Sequence, residues 1–138
     1  MRPSQSEARL SFAGLTDLFE PVANDLLDGL PPPQRDALQV ALLRAGPARA
    51  RPDRRAVGAA CRSALGALAS ERPLVVAIDD VQWLDAPSRN ALHFALRRLE
   101  GDPVGVVLAE RPREEGANRP EVDSAIRRSD SSGSAWAV

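Results

Sequence analysis

Two adjacent carboxylates, Asp79 and Asp80, follow directly on the apolar run Leu74-Val75-Val76-Ala77-Ile78. A continuous apolar run bounded by Pro73 predicts a strand over 74–79, buried on both faces as in parallel sheets. Open parallel sheets bind ligands outside the carboxyl ends of their strands. Two uncompensated acids at that place therefore read as a site. Successive residues leaving a strand point to different sides, so each carboxylate can address a different group.

Other side chains with chemical potential are less suggestive. His93 lies on a predicted helix with no second histidine in the chain, which favours a surface or half-buried structural role over metal ligation. Cys61, the single cysteine, falls on an apolar helical face and reads as a small buried hydrophobe. Trp83 reads as a packing anchor between a turn and a helix, and Trp136 as incidental. Arg49, Arg51, Arg54 and Arg55 make a local basic stretch whose plain reading is a solvated surface.

The elements that must position the acids follow from periodicity. Residues 1–10 are polar and predict a frayed or extended start. Leu15, Leu18, Phe19, Val22, Leu26 and Leu30 recur at helical spacing, with a kink expected at Pro21. Pro31-Pro32-Pro33 stops that helix, and Pro33 suits the first turn of the next, whose face is Leu38, Ala41 and Leu42. Gly46-Pro47 closes it, and residues 46–52 form an arginine- and proline-rich loop. Asp53 caps a third helix with a Val57, Ala60, Cys61, Ala64, Leu65 and Leu68 face.

After the first strand, Asp85 caps a helix over 87–100 that carries Leu92, Ala95, Leu96 and Leu99. Gly101-Asp102-Pro103 breaks it, and Val104 to Ala109 predicts a second strand. A strand–helix–strand unit of this length is a βαβ crossover with parallel strands. From Pro112 the pattern gives way to arginine, glutamate, serine and glycine, a composition that predicts a tail without fixed structure. No internal repeat is visible.

Composition sets the outer bounds. A chain of 138 residues with 43% hydrophobic and 27% charged content is that of one globular domain with a modest core. A net charge of −1 offers no basic field for nucleic acid. One cysteine excludes an internal disulfide and a multi-cysteine zinc site, and fits a reducing, cytoplasmic setting. No apolar stretch approaches the ~20 residues that span a membrane, and no signal-peptide core is present at the N-terminus. All 18 basic residues are arginine, so the chain holds no lysine.

The apolar strand ending in paired acids, beside a second apolar strand, resembles the Walker B element of P-loop ATPases. Three consecutive blocks sharpen the resemblance: "SEARLSFAGLTDLFEPV", "LPPPQRDALQVALL" and "LVVAIDDVQWLDAPSRNALHFALRRL". Together, over roughly residues 3–112, they are similar to the ATPase module of the large ATP-binding LuxR-type bacterial transcription regulators, within the STAND and AAA-like ATPases. The resemblance implies an α/β fold with a partial P-loop NTPase-like parallel sheet, strands at about 74–79 and 104–109, and an N-terminal run of three helices. It divides the chain into a partial ATPase domain at 1–112, the Walker B half, and a disordered tail at 113–138.

Residue by residue, the resemblance makes Asp79 the acid that holds Mg²⁺ through water on a bound nucleotide. Asp80 becomes the catalytic acid that polarises the attacking water, so that one carboxylate faces the metal and the next the γ-phosphate. Gln82, Trp83 and Asp85 match the turn into the following helix. Arg111, just after the second strand, matches a polar sensor position near the γ-phosphate. ATP and Mg²⁺ are thus the cofactors implied for the intact parent, with DNA a partner only through a parent helix-turn-helix.

The departures from the family pattern are equally informative. These ATPases grip phosphate with a Gly-rich loop ending in Gly-Lys-Ser/Thr. This chain has no such loop and no lysine to supply one. By family order the loop, its strand and its helix belong before Met1, and the helical repeats and helix-turn-helix belong after the tail. The expectation is a piece from the middle of a larger protein, unable by itself to hydrolyse ATP or bind it tightly, whose sheet shows an unpaired edge. The alternative is a non-catalytic remnant that offers helical surfaces to protein partners. A lysine-containing loop encoded in frame upstream favours the first reading; a ribosome-binding site serving Met1 favours the second.

Overall fold

The computed structural model describes residues 1–44, 52–99 and 101–111. Most of the predicted 46–52 loop, the Gly46-Pro47 helix stop, and the predicted tail at 113–138 with Trp136 lie outside them. Among the described residues the fold is α/β. Helices α1 (Ala13–Phe19), α2 (Ala23–Asp28), α3 (Pro32–Ala41) and α4 (Arg54–Glu71) precede strand β1 (Leu74–Ile78). Helix α5 (Ala86–Leu96) then leads to strand β2 (Val104–Leu108).

The two strands pair in parallel, in a register that sets Leu74 opposite Val104 and Ile78 opposite Leu108. The predicted βαβ unit is therefore present. Helix α4, which precedes β1, lies against both strands, and α5 packs along α4. At that crossing a Cβ on the buried Gly58 would come within 2.9 Å of the Phe94 ring, so only glycine admits the present approach. Val76 and Ile78 enter one buried cluster with Val57, Cys61, Leu65 and Leu92.

The expectation of a strand buried on both faces fails. Val75 is 64% exposed and Val107 58%, while Val76 and Ile78 are each 2% exposed. Among the described residues the helices cover one face of a two-stranded sheet, so alternate apolar side chains meet solvent. The continuous apolar run carries no trace of that asymmetry, because an unbroken apolar sequence does not state which of its faces the helices will cover.

Pro21 acts as expected: the predicted first helix divides into α1 and α2 about a 3-10 turn at Glu20–Val22. Helix α3 begins at Pro32, one residue earlier than expected, and ends well before Gly46, where Leu43 takes a left-handed φ of 56°. Asp53 caps α4 by accepting from the Arg55 N–H at 2.8 Å and the Ala56 N–H at 3.4 Å. Arg35, unremarked in the sequence, donates to the carbonyls of Leu27, Asp28 and Leu30 and so closes the C-terminal end of α2. Helix α5 ends at Leu96, short of the predicted 100; Leu99 is still buried, and Gly101 takes a φ of +95° that suits glycine.

The start of the chain is not frayed. The Met1 ammonium donates to the Ala77 carbonyl at 2.9 Å, and the Asp79 N–H donates to the Met1 carbonyl at 3.2 Å. Pro3 is buried, and turn hydrogen bonds link Glu7 to Ser4 and Leu10 to Glu7.

Cys61 has no exposed surface, and burial pushes its thiol up to about 12. The group stays neutral in the folded chain far above the pH at which a free thiol ionises. The folded chain should therefore resist a maleimide at pH 8 and react only on unfolding, which mass spectrometry reads directly. The sign of the linkage follows: this contribution to stability is intact below a free thiol's pKa and is lost as pH rises toward 12.

Candidate functional site

Strand β1 ends at Ile78, one residue earlier than predicted, so both acids lie just beyond it. The Ala109 N–H donates to the Ile78 carbonyl at 2.9 Å, and the Val81 N–H donates to the Ala109 carbonyl at 3.0 Å. The two strand ends are thereby held together on either side of the acids. Between them Asp80 adopts the left-handed conformation, φ 51° and ψ 47°, which aspartate tolerates better than most residues. This turn, more than strand alternation, separates the carboxylates.

Neither acid is uncompensated, and this corrects the sequence expectation. Asp79, its side chain 47% exposed, pairs through Oδ2 with Arg2 Nε at 3.1 Å. Its Oδ1 accepts from the Asp80 N–H at 3.0 Å. Asp80 is only 8% exposed. Its Oδ1 accepts from Arg111 Nε at 2.7 Å and from Gln82 Nε2 at 2.9 Å, and its Oδ2 accepts from Arg111 Nη2 at 3.2 Å. Arg111 therefore reaches across from the end of β2 with a two-pronged, charge-assisted contact.

The Arg111 guanidinium, followed by the Gln82 amide, holds the Asp80 carboxyl below the usual carboxylate range. Asp80 raises the Arg111 pKa in return. A depressed carboxyl pKa means stability that is present at neutral pH and lost as pH falls through the depressed value. The pair thus persists until the solution is more acid than an ordinary aspartate would require.

The Gln82 amide can be oriented from chemistry alone, since a carboxylate only accepts and Nε2 must face it. That leaves Gln82 Oε1 buried without a donor among the described residues. Sequence reasoning placed Gln82 in a turn and gave it no task; the spacing Asp80-x-Gln82 is the signal that could have found this contact. Trp83 is half-buried in the 3-10 turn Val81–Trp83. It borders a shallow crease with Pro3, Glu7, Asp17 and Asp85, and the crease encloses no room for a ligand.

Asp85 does more than cap α5. It is 3% exposed, and its Oδ1 accepts from the Ser88 N–H at 2.9 Å, the expected cap. The same Oδ1 accepts from the Phe12 N–H at 2.9 Å, and Oδ2 accepts from the Gly14 N–H at 3.0 Å. Ser88 Oγ accepts from the Leu15 N–H at 3.0 Å. One carboxylate and one hydroxyl therefore satisfy the first donors of both α1 and α5. A Cβ at Gly14 would displace the Leu84 side chain and press on Ser88, so glycine lets α1 and α5 meet without that adjustment.

Of the two acids only Asp79 has room for a hydrated divalent cation, because both oxygens of Asp80 are engaged by Arg111 and Gln82. Asp79 is open to water, and the orphaned Gln82 Oε1 lies on the side chain that steadies Asp80. A triphosphate fits less well. Carboxylates already occupy the N-terminal donors of α1, α4 and α5, where an anion would otherwise bind. No lysine is available to replace them. Arg54 and Arg55 are exposed on the first turn of α4, and half-buried His93 lies on α5; among the described residues no group of three or more His, Cys, Asp or Glu is placed to hold a metal directly.

Residues 2–108 match the family model described as an AAA ATPase domain. No curated protein and no solved structure matches the chain. The match takes in both strands, the acid pair and the α1–α5 junction, and stops at the end of β2. With most of its length in that alignment, the chain belongs to the AAA ATPase domain family.

Proposed function

We propose that residues 1–112 are the Walker B half of the ATPase module of a cytoplasmic LuxR-type transcription regulator of the STAND class. In this reading the chain does not turn over ATP by itself. The observation that carries it is the placement of Asp79 and Asp80 at the end of β1, bracketed by a parallel neighbour whose own end supplies Arg111. Family membership supports nucleotide and Mg²⁺ use by an intact module.

Asp79 would hold the metal through water, and the metal would supply charge neutralisation at phosphate. The rest falls to side chains of this chain. Asp80, kept ionised by Arg111 and Gln82, is an acceptor that can orient a water without taking its proton early. Gln82 fixes the rotation of that carboxylate through Nε2. Arg111, its side chain 75% exposed, is free to exchange a carboxylate for a phosphate oxygen. Phosphate grip must come from a Gly-rich, lysine-containing loop that these residues do not include.

Calorimetry tests the reading in two steps. Mg-ATP titrated into the chain alone should give no saturable heat at micromolar concentrations, because no backbone cradle or lysine grips the triphosphate. Joined to a segment carrying the strand, Gly-Lys-Ser/Thr loop and helix of a related module, the chain should acquire a Mg²⁺-dependent ATP site. A micromolar site in the isolated chain that Asp79→Ala abolishes would refute the first statement. A joined, folded module that ignores ATP would refute the second.

A further inference from the structure

Three non-glycine residues among those described take a left-handed backbone: Phe12, Leu43 and Asp80. That conformation is costly for a residue with a Cβ and persists only where the surroundings enforce it. Leu43 follows the end of α3, where left-handed residues are common. Phe12 and Asp80 lie far apart in sequence, yet both border one short link.

The link runs from Asp80 to Asp85. The Trp83 N–H donates to the Asp80 carbonyl at 2.9 Å, and the Leu84 N–H donates to the Val81 carbonyl at 3.1 Å. These bonds close a single 3-10 turn, whose poorer geometry holds little by itself. Its ends are pinned from outside. At one end the Val81 N–H reaches the Ala109 carbonyl, just past β2, at 3.0 Å. At the other, Asp85 accepts the N–H groups of Phe12 and Gly14 at the start of α1. Leu84, 2% exposed, lies against Gly14, and its carbonyl accepts from Arg89 Nη2 at 2.8 Å. The path from α1 to the second acid is short and bonded at each step.

We propose that Asp85 is a positioning residue for Asp80. By seating α1 against the Val81–Trp83 turn, it keeps Asp80 in the left-handed conformation that aims its carboxylate at Arg111 and Gln82. Helix α1 and the second acid then move together. Where α1 lifts, Asp80 relaxes to ordinary backbone and its side chain leaves the Arg111 guanidinium. The coupling itself needs no nucleotide; only its effect on turnover rests on the Walker B reading.

Hydrogen exchange by NMR on the chain as it stands tests this. Asp85→Asn keeps the size of the side chain and sets an NH₂ group against the Gly14 N–H. It should speed exchange of the Val81 N–H and the Arg111 Nε–H about tenfold relative to the Leu65 N–H inside α4, because the opening is local. Arg35→Ala is the control. It frees the carbonyls of Leu27, Asp28 and Leu30, none of them bonded to this link, and should leave that ratio unchanged. Ser88→Ala removes only the acceptor of the Leu15 N–H, so it should shift the ratio the same way and serves if Asp85→Asn does not fold. An unchanged ratio in the Asp85 and Ser88 variants would overturn the proposal, and so would an equal shift in the control. In a module completed with a phosphate-binding loop, Asp85→Asn should lower kcat severalfold and leave KM unchanged. An active module whose kcat ignores the substitution would also overturn it. A shifted ratio beside a completed module that never hydrolyses ATP would strike the Walker B reading and leave the coupling standing.

Discussion

Asp85→Ala should lower the stability of the folded chain by about 3–5 kcal/mol, the loss of a buried carboxylate that satisfies three backbone donors. The donors are the Phe12, Gly14 and Ser88 N–H groups, and the residue that receives them is 3% exposed. With the carboxylate gone, no water replaces it easily at that depth, so each donor bears its own desolvation cost. A domain of ordinary stability holds only about 5–15 kcal/mol in total. The expected fall in thermal midpoint is on the order of 10–20 °C.

Asp85→Asn separates charge from geometry. Its one amide oxygen can keep the Phe12 and Ser88 donors, but its NH₂ then opposes the Gly14 N–H, so a smaller loss of about 1–3 kcal/mol is expected. Urea denaturation followed by circular dichroism measures both. If the alanine variant unfolds within ~1 kcal/mol of the unsubstituted chain, the shared cap contributes little, and α1 is held to α5 by packing around Gly14 and Leu84 alone.

Asp80→Asn, placed in a module completed with a phosphate-binding loop, should slow ATP hydrolysis on the order of 10²–10⁴-fold while leaving ATP affinity nearly unchanged. The substitution keeps the size of the side chain and removes one of the two oxygens that Arg111 engages at 2.7 and 3.2 Å. It also removes the charge that would orient an attacking water. Asp79→Asn should behave differently and weaken Mg²⁺-dependent binding as well, since in the proposed reading Asp79 is the acid that holds the hydrated ion. Arg111→Ala should reduce turnover by freeing Asp80 from its orientation and, in the proposed reading, by removing a cation from the transferred phosphate. Single-turnover rates and ATP affinities for the three variants decide the matter. Equal behaviour of both aspartate variants and the unsubstituted module would make the pair a structural strand end.

Much of this architecture was legible from residue order. Helical spacing placed Val57, Ala60, Cys61, Ala64 and Leu65 on the buried face of α4, and Asp53 and Asp85 announced the starts of α4 and α5. The five apolar residues before Asp79 and the run from Val104 gave two strands, and the helix between them required those strands to be parallel. These features are local: periodicity, capping chemistry and the length of a crossover depend on neighbours in the chain. The acids were located for the same reason, since where a strand ends is a local matter.

What surrounds the acids was settled only in three dimensions. Arg2 and Arg111 lie far apart in sequence, yet each pairs with one aspartate because β1 runs between the start of the chain and the end of β2. The exposed face at Val75 and Val107 depends on which helices reach the sheet, which no apolar run can state. Asp85 was readable as the cap of the helix that follows it and unreadable as the cap of α1, about 70 residues earlier in the chain. A carboxylate announces that it will accept hydrogen bonds; only the folded backbone determines whose.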